Sequence, residues 1–244
     1  MNTNVKNITG NREAKRIPHQ KSAGTKRPPK AWLIPAGLLI LSLVPVLAGA
    51  ARLTQLGTGA EITPDNARFF ASPIPVVLHI LSVTLYALLG AFQFSTDFRH
   101  RKPRWHRAFG RVLIPAGLVA ALSGLWMTQF YPWPVYDGVW LYGLRLIFGA
   151  AMLASLGLGY LAMRKRDFPQ HGVWMIRAYA IGLGAGTQVF THIPWALFPS
   201  VHGELARTIM MGAGWVINLI AAEWIILKMR EARAMKAHQR HTSA

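Results

Sequence analysis

Residues 75–94 read PVVLHILSVTLYALLGAFQF, a run of twenty residues without Asp, Glu, Lys or Arg. The hydrocarbon core of a bilayer is about 30 Å thick, and roughly 20 helical residues cross it. The run lacks the strict alternation of a barrel strand, and a backbone in lipid must satisfy its own hydrogen bonds. We therefore predict a membrane-spanning helix at this position.

Five other stretches have the same apolar character. Each is rich in Leu, Ile, Val, Ala and Gly, and each is long enough to cross a bilayer as a helix. They cover residues 32–51, 111–131, 138–163, 172–194 and 207–228. The sequence therefore predicts an all-α, polytopic six-helix transmembrane bundle over residues 32–228. It is preceded by a disordered basic tail, residues 1–31, and followed by a second basic tail, residues 229–244.

The composition excludes several classes of protein. Of the 244 residues, 52% are hydrophobic and 15% are charged, whereas soluble domains carry about 25% charged residues. Disorder over most of the length is excluded because it requires low hydrophobicity. The absence of Cys excludes disulfides, thiolate metal sites, iron–sulfur clusters and cysteine nucleophiles.

The distribution of basic residues predicts the orientation in the membrane. The chain has 27 Lys and Arg against 9 Asp and Glu, a net charge of +18. Most of the basic residues lie in the two tails and in the connections after the second and fourth predicted helices. By the positive-inside rule these segments are cytoplasmic. We expect a multi-pass protein of the bacterial inner membrane with both termini in the cytoplasm, in agreement with an even number of crossings.

Four histidines fall at the ends of predicted helices. His79 and His192 lie near the predicted outer face, and His106 and His171 lie near the cytoplasmic face. A neutral imidazole binds haem iron axially, and two facing helices can each supply one. The pattern favours a b-type haem protein with a redox or electron-transfer role, in which His79 and His192 bind the outer haem iron. His106 and His171 would form a second, inner pair.

Two arginines inside predicted helices suit the same hypothesis. Arg145 lies at about the depth of His79, where it would balance a haem propionate, and Arg177 follows His171 by six residues. An alternative remains open, because an interfacial histidine also serves as a hydrogen-bonding anchor and arginines bind lipid phosphates. In that case the chain is a non-enzymatic membrane protein, a carrier or an assembly partner, with membrane lipids as its partners.

Glu223 is the acidic residue inside the sixth predicted helix. Arg177 lies at similar depth, and neither group would remain charged alone in lipid, so we predict an intramembrane ion pair between them. A proton relay through Glu223, as in a proton-coupled transporter, is the functional alternative. No nucleophile elbow, phosphate-binding loop or zinc-ligand spacing occurs. Catalytic residues, and whether the protein is an enzyme, stay undetermined, and nothing supports binding of nucleic acid.

Several segments together carry a family resemblance. The chain resembles a bacterial family of predicted membrane proteins, domain-of-unknown-function family 2306, over roughly residues 75–228. The resemblance rests on HILSVTLYALLGAFQF (79–94), FRHRKPRWHRAFGR (98–111) and HGVWMIRAYAI (171–181). It implies a polytopic inner-membrane protein with His79, His106, His171 and Arg177 at its marked positions, and it implies no particular activity. A looser similarity to cytochrome b561-type bundles depends on histidine placement alone and is an analogy.

Overall fold

The chain folds as a bundle of α-helices in a computed structural model that describes residues 32–242. No β-strand occurs within this described part. The predicted disordered tail, residues 1–31, lies outside it. In chain order the helices are α1 (Leu33–Thr58), α2 (Ala67–Ala71), α3 (Pro73–Gln93), α4 (Thr96–Arg101), α5 (Pro103–Phe130), α6 (Val139–Arg164), α7 (Phe168–Gly182), α8 (Gly184–Thr191), α9 (Ile193–Leu197) and α10 (Glu204–Thr242), with a 3₁₀ turn at Pro199–Val201.

Five of these helices are long and apolar enough to cross a membrane. They are α1, α3, α5, α6 and α10, and each of them coincides with one predicted span. Much of the apolar surface of each of these helices is not covered by the rest of the protein, as expected for helices in contact with lipid. The prediction of a helical membrane protein is confirmed for the described residues.

The predicted fifth span, residues 172–194, is not one uninterrupted helix. It consists of α7, α8 and the short α9, and the break between α7 and α8 is at Leu183, whose φ is −79° and ψ is 0°. The flanking Gly182 and Gly184 are weak helix formers, which explains why the helix gives way there. The Leu183 N–H still donates to the Tyr179 carbonyl at 2.9 Å, so the interruption is local.

Glycines in α8 allow two helices to approach it closely. A Cβ at Gly186 would overlap the backbone oxygen of Leu41 in α1, and one at Gly184 would overlap the indole of Trp215 in α10. Small residues at helix contacts are the usual means of close packing in membranes. Gly184, which flanks the break, therefore also lets α10 pack against α8, and Gly186 does the same for α1.

Successive long helices are antiparallel neighbours. α3 packs between α1 and α5, α6 packs against α5 and α7, and α10 packs against α6, α7 and α8. α8 also contacts α1, which closes the bundle. At one end lies Asp137, in the α5–α6 connection, and we name this the Asp137 end. The other end, which holds the basic α3–α5 and α6–α7 connections, is named the basic end.

The last helix is longer than predicted. α10 extends to Thr242, so residues 229–242 of the predicted basic tail continue it as an exposed helix. The basic side chains of this segment are exposed, and Lys228 pairs with Glu231 at 2.9 Å. The bundle therefore carries a helical basic projection at the basic end.

Candidate ligand cavity and charged clusters

A partly open cavity of about 360 Å³ lies between the helices in the half of the bundle toward the Asp137 end. Side chains from α3, α5, α6, α7, α8 and α10 surround it, and α2 and the α5–α6 connection lie at its mouth. Ligand sites in proteins usually measure about 300–1,000 Å³ and combine an apolar wall with a few polar groups. This cavity has both features. Its larger apolar residues include Val83, Leu125, Phe148, Met152, Ile181 and Trp215.

Small residues form a second part of the wall. Ala120, Ala121 and Gly124 of α5 face the cavity, as do Gly149 of α6 and Gly182 of α7. The side chains of Leu125 and Tyr86 already pack against Gly149 and Gly182. The small residues of α5 therefore leave its backbone as the one nearest the cavity.

His79 is the histidine that lines the cavity. Its Nδ1 lies 2.9 Å from the Ala120 carbonyl oxygen and 3.2 Å from the Ser123 hydroxyl. A carbonyl only accepts hydrogen bonds, so the hydrogen is assigned to Nδ1 and the lone pair to Nε2. The imidazole is thus held in the tautomer that can bind a metal ion through Nε2, with a backbone carbonyl orienting the ring.

His192 does not share this cavity. It follows α8, and its Nδ1 lies 2.8 Å from the carbonyl oxygen of Gln188, one turn earlier in the chain. Gln188 lines the cavity, whereas His192 does not. The structure therefore does not bring His79 and His192 together around one ligand position.

A buried carboxylate holds two arginines near the mouth of the cavity. The Asp137 side chain is 1% exposed, and its two oxygens accept from Arg145 Nη1 and Arg207 Nε, each at 2.5 Å. Arg145 also lines the cavity. The group at the predicted propionate position is therefore already bound to a carboxylate of the protein.

Asp137 was not among the predicted site residues. Its only signal in the sequence is that it is an acidic residue in a short connection, eight residues before Arg145. The partner Arg207 is 70 residues away and gives no local signal. Only the packing of α10 beside the α5–α6 connection makes this cluster visible.

Arg68 is the third arginine at the mouth. It belongs to α2, lines the cavity, donates from Nη1 to the Pro132 carbonyl at 3.3 Å, and stacks on the Phe69 ring at 4.7 Å. Among the side chains that the structure describes, no carboxylate lies within ion-pair distance of it. Burial lowers the pKa of its guanidinium, and the nearby Asp137 opposes this shift. Arginine remains charged even so.

The two histidines at the basic end approach each other. His171 Nδ1 lies 2.9 Å from the Gly159 carbonyl, and His106 is near enough to His171 and Arg99 to interact electrostatically with both. Nδ1 of His106 is buried and has no hydrogen-bond partner. The structure therefore brings the predicted inner pair into proximity.

Arg177 and Glu223 also meet, as a two-point pair. Arg177 Nε and Nη2 donate to the two Glu223 carboxylate oxygens at 2.6 and 3.0 Å. The Arg177 guanidinium lies over the Trp174 ring, 4.7 Å from its centroid. The pair joins α7 to α10, and within it each charge is balanced by the other.

A metal ion held by protein side chains alone is not supported in residues 32–242. This part of the chain forms no cluster of three or more His, Asp or Glu able to hold one. Haem differs, because the porphyrin supplies four ligands and the protein supplies one or two. A single well-oriented histidine in a cavity therefore fits haem better than it fits a bare metal ion.

Comparison with protein-family models gives a match. The family model described as predicted membrane protein, DUF2306, matches residues 76–226, from the first turn of α3 into α10. No curated protein and no solved structure matches the chain.

Proposed function

The chain belongs to domain-of-unknown-function family 2306, a family of predicted membrane proteins, and we propose that it binds haem b in its central cavity. His79 is the axial ligand in this proposal, and the protein is a redox protein of the bacterial inner membrane. Haem supplies reversible one-electron chemistry at its iron. The chain would supply the axial histidine, the carbonyl that orients its ring, and a cavity between the helices.

The proposed topology has six crossings. Residues 168–191, which comprise α7, Leu183 and α8, extend about 36 Å at 1.5 Å per residue, enough to cross a hydrocarbon core of about 30 Å. The excess of Lys and Arg at the basic end supports a cytoplasmic location for that end. Both termini are then cytoplasmic, and the cavity opens toward the outside.

The observation that carries the haem proposal is the orientation of His79. Its Nδ1 is engaged by the Ala120 carbonyl, so Nε2 is the nitrogen available to iron. The small residues of the wall and the aromatic Phe148 and Trp215 suit a flat, apolar macrocycle. Arg145 at the mouth suits a haem carboxylate.

The proposal contains one haem in the cavity, with His79 as its histidine ligand. The predicted partnership with His192 is left out because His192 does not line the cavity. The inner pair, His106 and His171, stays a prediction. Their proximity is compatible with a second haem, and the single-haem proposal does not depend on it.

Absorption spectroscopy tests the role of His79. Full-length protein purified from cells supplied with a haem precursor should be red and show a Soret band near one equivalent of haem. His79→Ala should lose at least about ten-fold in bound haem, because the axial bond is lost. His192→Ala is the matched control and should retain the band. A colourless wild-type protein, or a band that survives in His79→Ala, would contradict the proposal.

A second candidate is a carrier for an amphipathic anion without iron. The specific observation in its favour is that Arg68, which has no carboxylate partner in the described part of the chain, lines a largely apolar cavity. Such a protein would be colourless, and His79→Ala would leave ligand binding intact. The spectroscopic experiment therefore separates the two candidates.

A further inference from the structure

The mouth of the cavity is rich in positive charge. Arg68, Arg145 and Arg207 gather there around the single buried carboxylate of Asp137. Each oxygen of that carboxylate already accepts from one arginine, Oδ2 from Arg145 and Oδ1 from Arg207. Arg68 lies near enough to Asp137 to interact with it electrostatically, but its direct contacts are the Pro132 carbonyl and the Phe69 ring.

Two of the three arginines face the cavity. Arg68 and Arg145 line it, whereas Arg207 does not. A guanidinium has five N–H donors in a planar fork that matches carboxylate and phosphate oxygens. Arg145 directs Nη1 to Asp137, and its other donors are available for a ligand. A partly buried guanidinium without a counter-charge is unfavourable, and a bound anion would relieve that cost.

We propose that Arg68 and Arg145 form an anion site at the mouth of the cavity, which takes a carboxylate or phosphate group. Arg207 and Asp137 are positioning residues, because they hold the Arg145 side chain beside the opening. The inference deepens the proposed function and rests on it for the cavity, since a haem carboxylate is one group that would bind here. The same chemistry is present in a soluble phosphate and in an anionic lipid headgroup.

The absence of native Cys makes this site testable through one introduced thiol. Thr128 lines the cavity near the end of α5, and Thr128→Cys in the haem-free protein can be labelled with two methanethiosulfonates. One carries a sulfonate and the other a trimethylammonium group. A positive electrostatic potential in a cleft raises the rate at which an anionic reagent reacts there by about ten-fold or more. Each labelling rate is divided by the rate of the same reagent with a free thiol in solution. By this measure the sulfonate reagent should react at least about ten-fold faster than the trimethylammonium reagent.

Arg68→Gln and Arg52→Gln are matched variants for this measurement. Both arginines stack on the Phe69 ring, at 4.7 and 4.5 Å, but only Arg68 lines the cavity. Arg68→Gln should reduce the sulfonate preference several-fold, and Arg52→Gln should leave most of it. Equal rates for the two reagents in the wild-type background, or equal losses in the two variants, would overturn the anion site.

Protection of the thiol identifies the source of the anion. In phosphatidylcholine nanodiscs, inorganic phosphate at constant ionic strength should slow labelling if a soluble anion binds. Phosphatidylglycerol nanodiscs should slow it without added phosphate if a headgroup binds. Either result supports the site, and protection by neither overturns it. A colourless protein that keeps the sulfonate preference would contradict the haem proposal but not the anion site. A red protein without the preference would contradict the anion site but not the haem proposal.

Discussion

Gly90 and Gly124 lie in opposite halves of the bundle, each beside a ring of the protein, and they differ in how tightly that ring fills the space. Toward the basic end, a Cβ at Gly90 would overlap the ring of Tyr179, whose hydroxyl donates to the Ala87 carbonyl at 2.7 Å. Toward the Asp137 end, Gly124 lines the cavity, and a Cβ there would lie 3.3 Å from Cε1 of the His79 ring. A glycine in the first half makes room for an aromatic ring of the protein itself. Beside Gly124 the nearest contact is looser and the position borders the cavity, which makes it the better candidate for contact with a ligand.

The charged groups show the same contrast. Arg177 and Glu223 form a one-to-one pair that uses both carboxylate oxygens. The Asp137 cluster has three arginines for one carboxylate, and two of those arginines face the cavity. A balanced pair is sufficiently explained by the joining of two helices. An excess of charge beside a cavity favours an anionic partner.

Replacing Asp137 should have the largest effect on stability. Asp137→Asn removes the carboxylate that holds Arg145 and Arg207, and breaking a buried pair from one side costs about 3–5 kcal/mol. The arginines are about a quarter exposed, so we expect about 3 kcal/mol, measured by thermal unfolding in detergent. Glu231→Gln, which breaks the exposed Lys228–Glu231 pair, is the control and should cost less than about 1 kcal/mol. Similar losses in both variants would remove the distinction between the buried cluster and a surface pair.

Filling the packed half should have the next largest effect. Gly90→Ala places a methyl group against the Tyr179 ring, and overpacking of this kind costs about 1–3 kcal/mol. Gly143→Ala in α6 is the matched control, because nothing lies within 4 Å of its Cβ position. It should be neutral or stabilise by less than about 1 kcal/mol, since alanine is the better helix former. An unchanged melting temperature for Gly90→Ala would show that this half is not tightly packed.

The corresponding change in the cavity half should affect stability least. At Gly124 a Cβ would lie 3.3 Å from Cε1 of His79, a contact that a small movement of the ring relieves. We expect Gly124→Ala to change the free energy of unfolding by less than about 1 kcal/mol, while it shifts the Soret maximum or weakens haem binding several-fold. Gly157→Ala, another position in open space, should leave the spectrum unchanged. A large loss of stability in Gly124→Ala with an unaltered spectrum would assign Gly124 to packing alone.

The fold class and the approximate positions of the long helices were predictable from local features. An apolar run such as residues 75–94 specifies a helix in lipid whatever surrounds it, because the backbone has no other means of satisfying its hydrogen bonds there. The break at Leu183 was not predicted, although Gly182 and Gly184 are visible in the sequence. Glycines in membrane helices also serve close packing, and their spacing does not show whether a helix will continue through them.

Part of the candidate site was equally predictable. His79 and Arg145 were identified because an ionisable group in an apolar helix requires a partner. The predicted partnership of Arg177 with Glu223 rested on their similar depth, and the two side chains do meet. Depth alone did not show that His192 lies outside the cavity that His79 lines. The Nδ1 of His192 lies against the Gln188 carbonyl, and the residue does not line the cavity. Depth is a coordinate along the membrane normal, and it contains no information about the direction in which a side chain leaves its helix.

The sequence by itself determined that the chain is a membrane protein and where its long helices lie approximately, because hydrophobicity and backbone hydrogen bonding act within each twenty-residue segment. Only the tertiary structure decided which polar groups meet. The rotation of each helix about its axis and the close approach of α1 and α10 at the α8 glycines depend on contacts between segments far apart in the chain. The cavity beside His79 and the arginine cluster around Asp137 are products of those contacts.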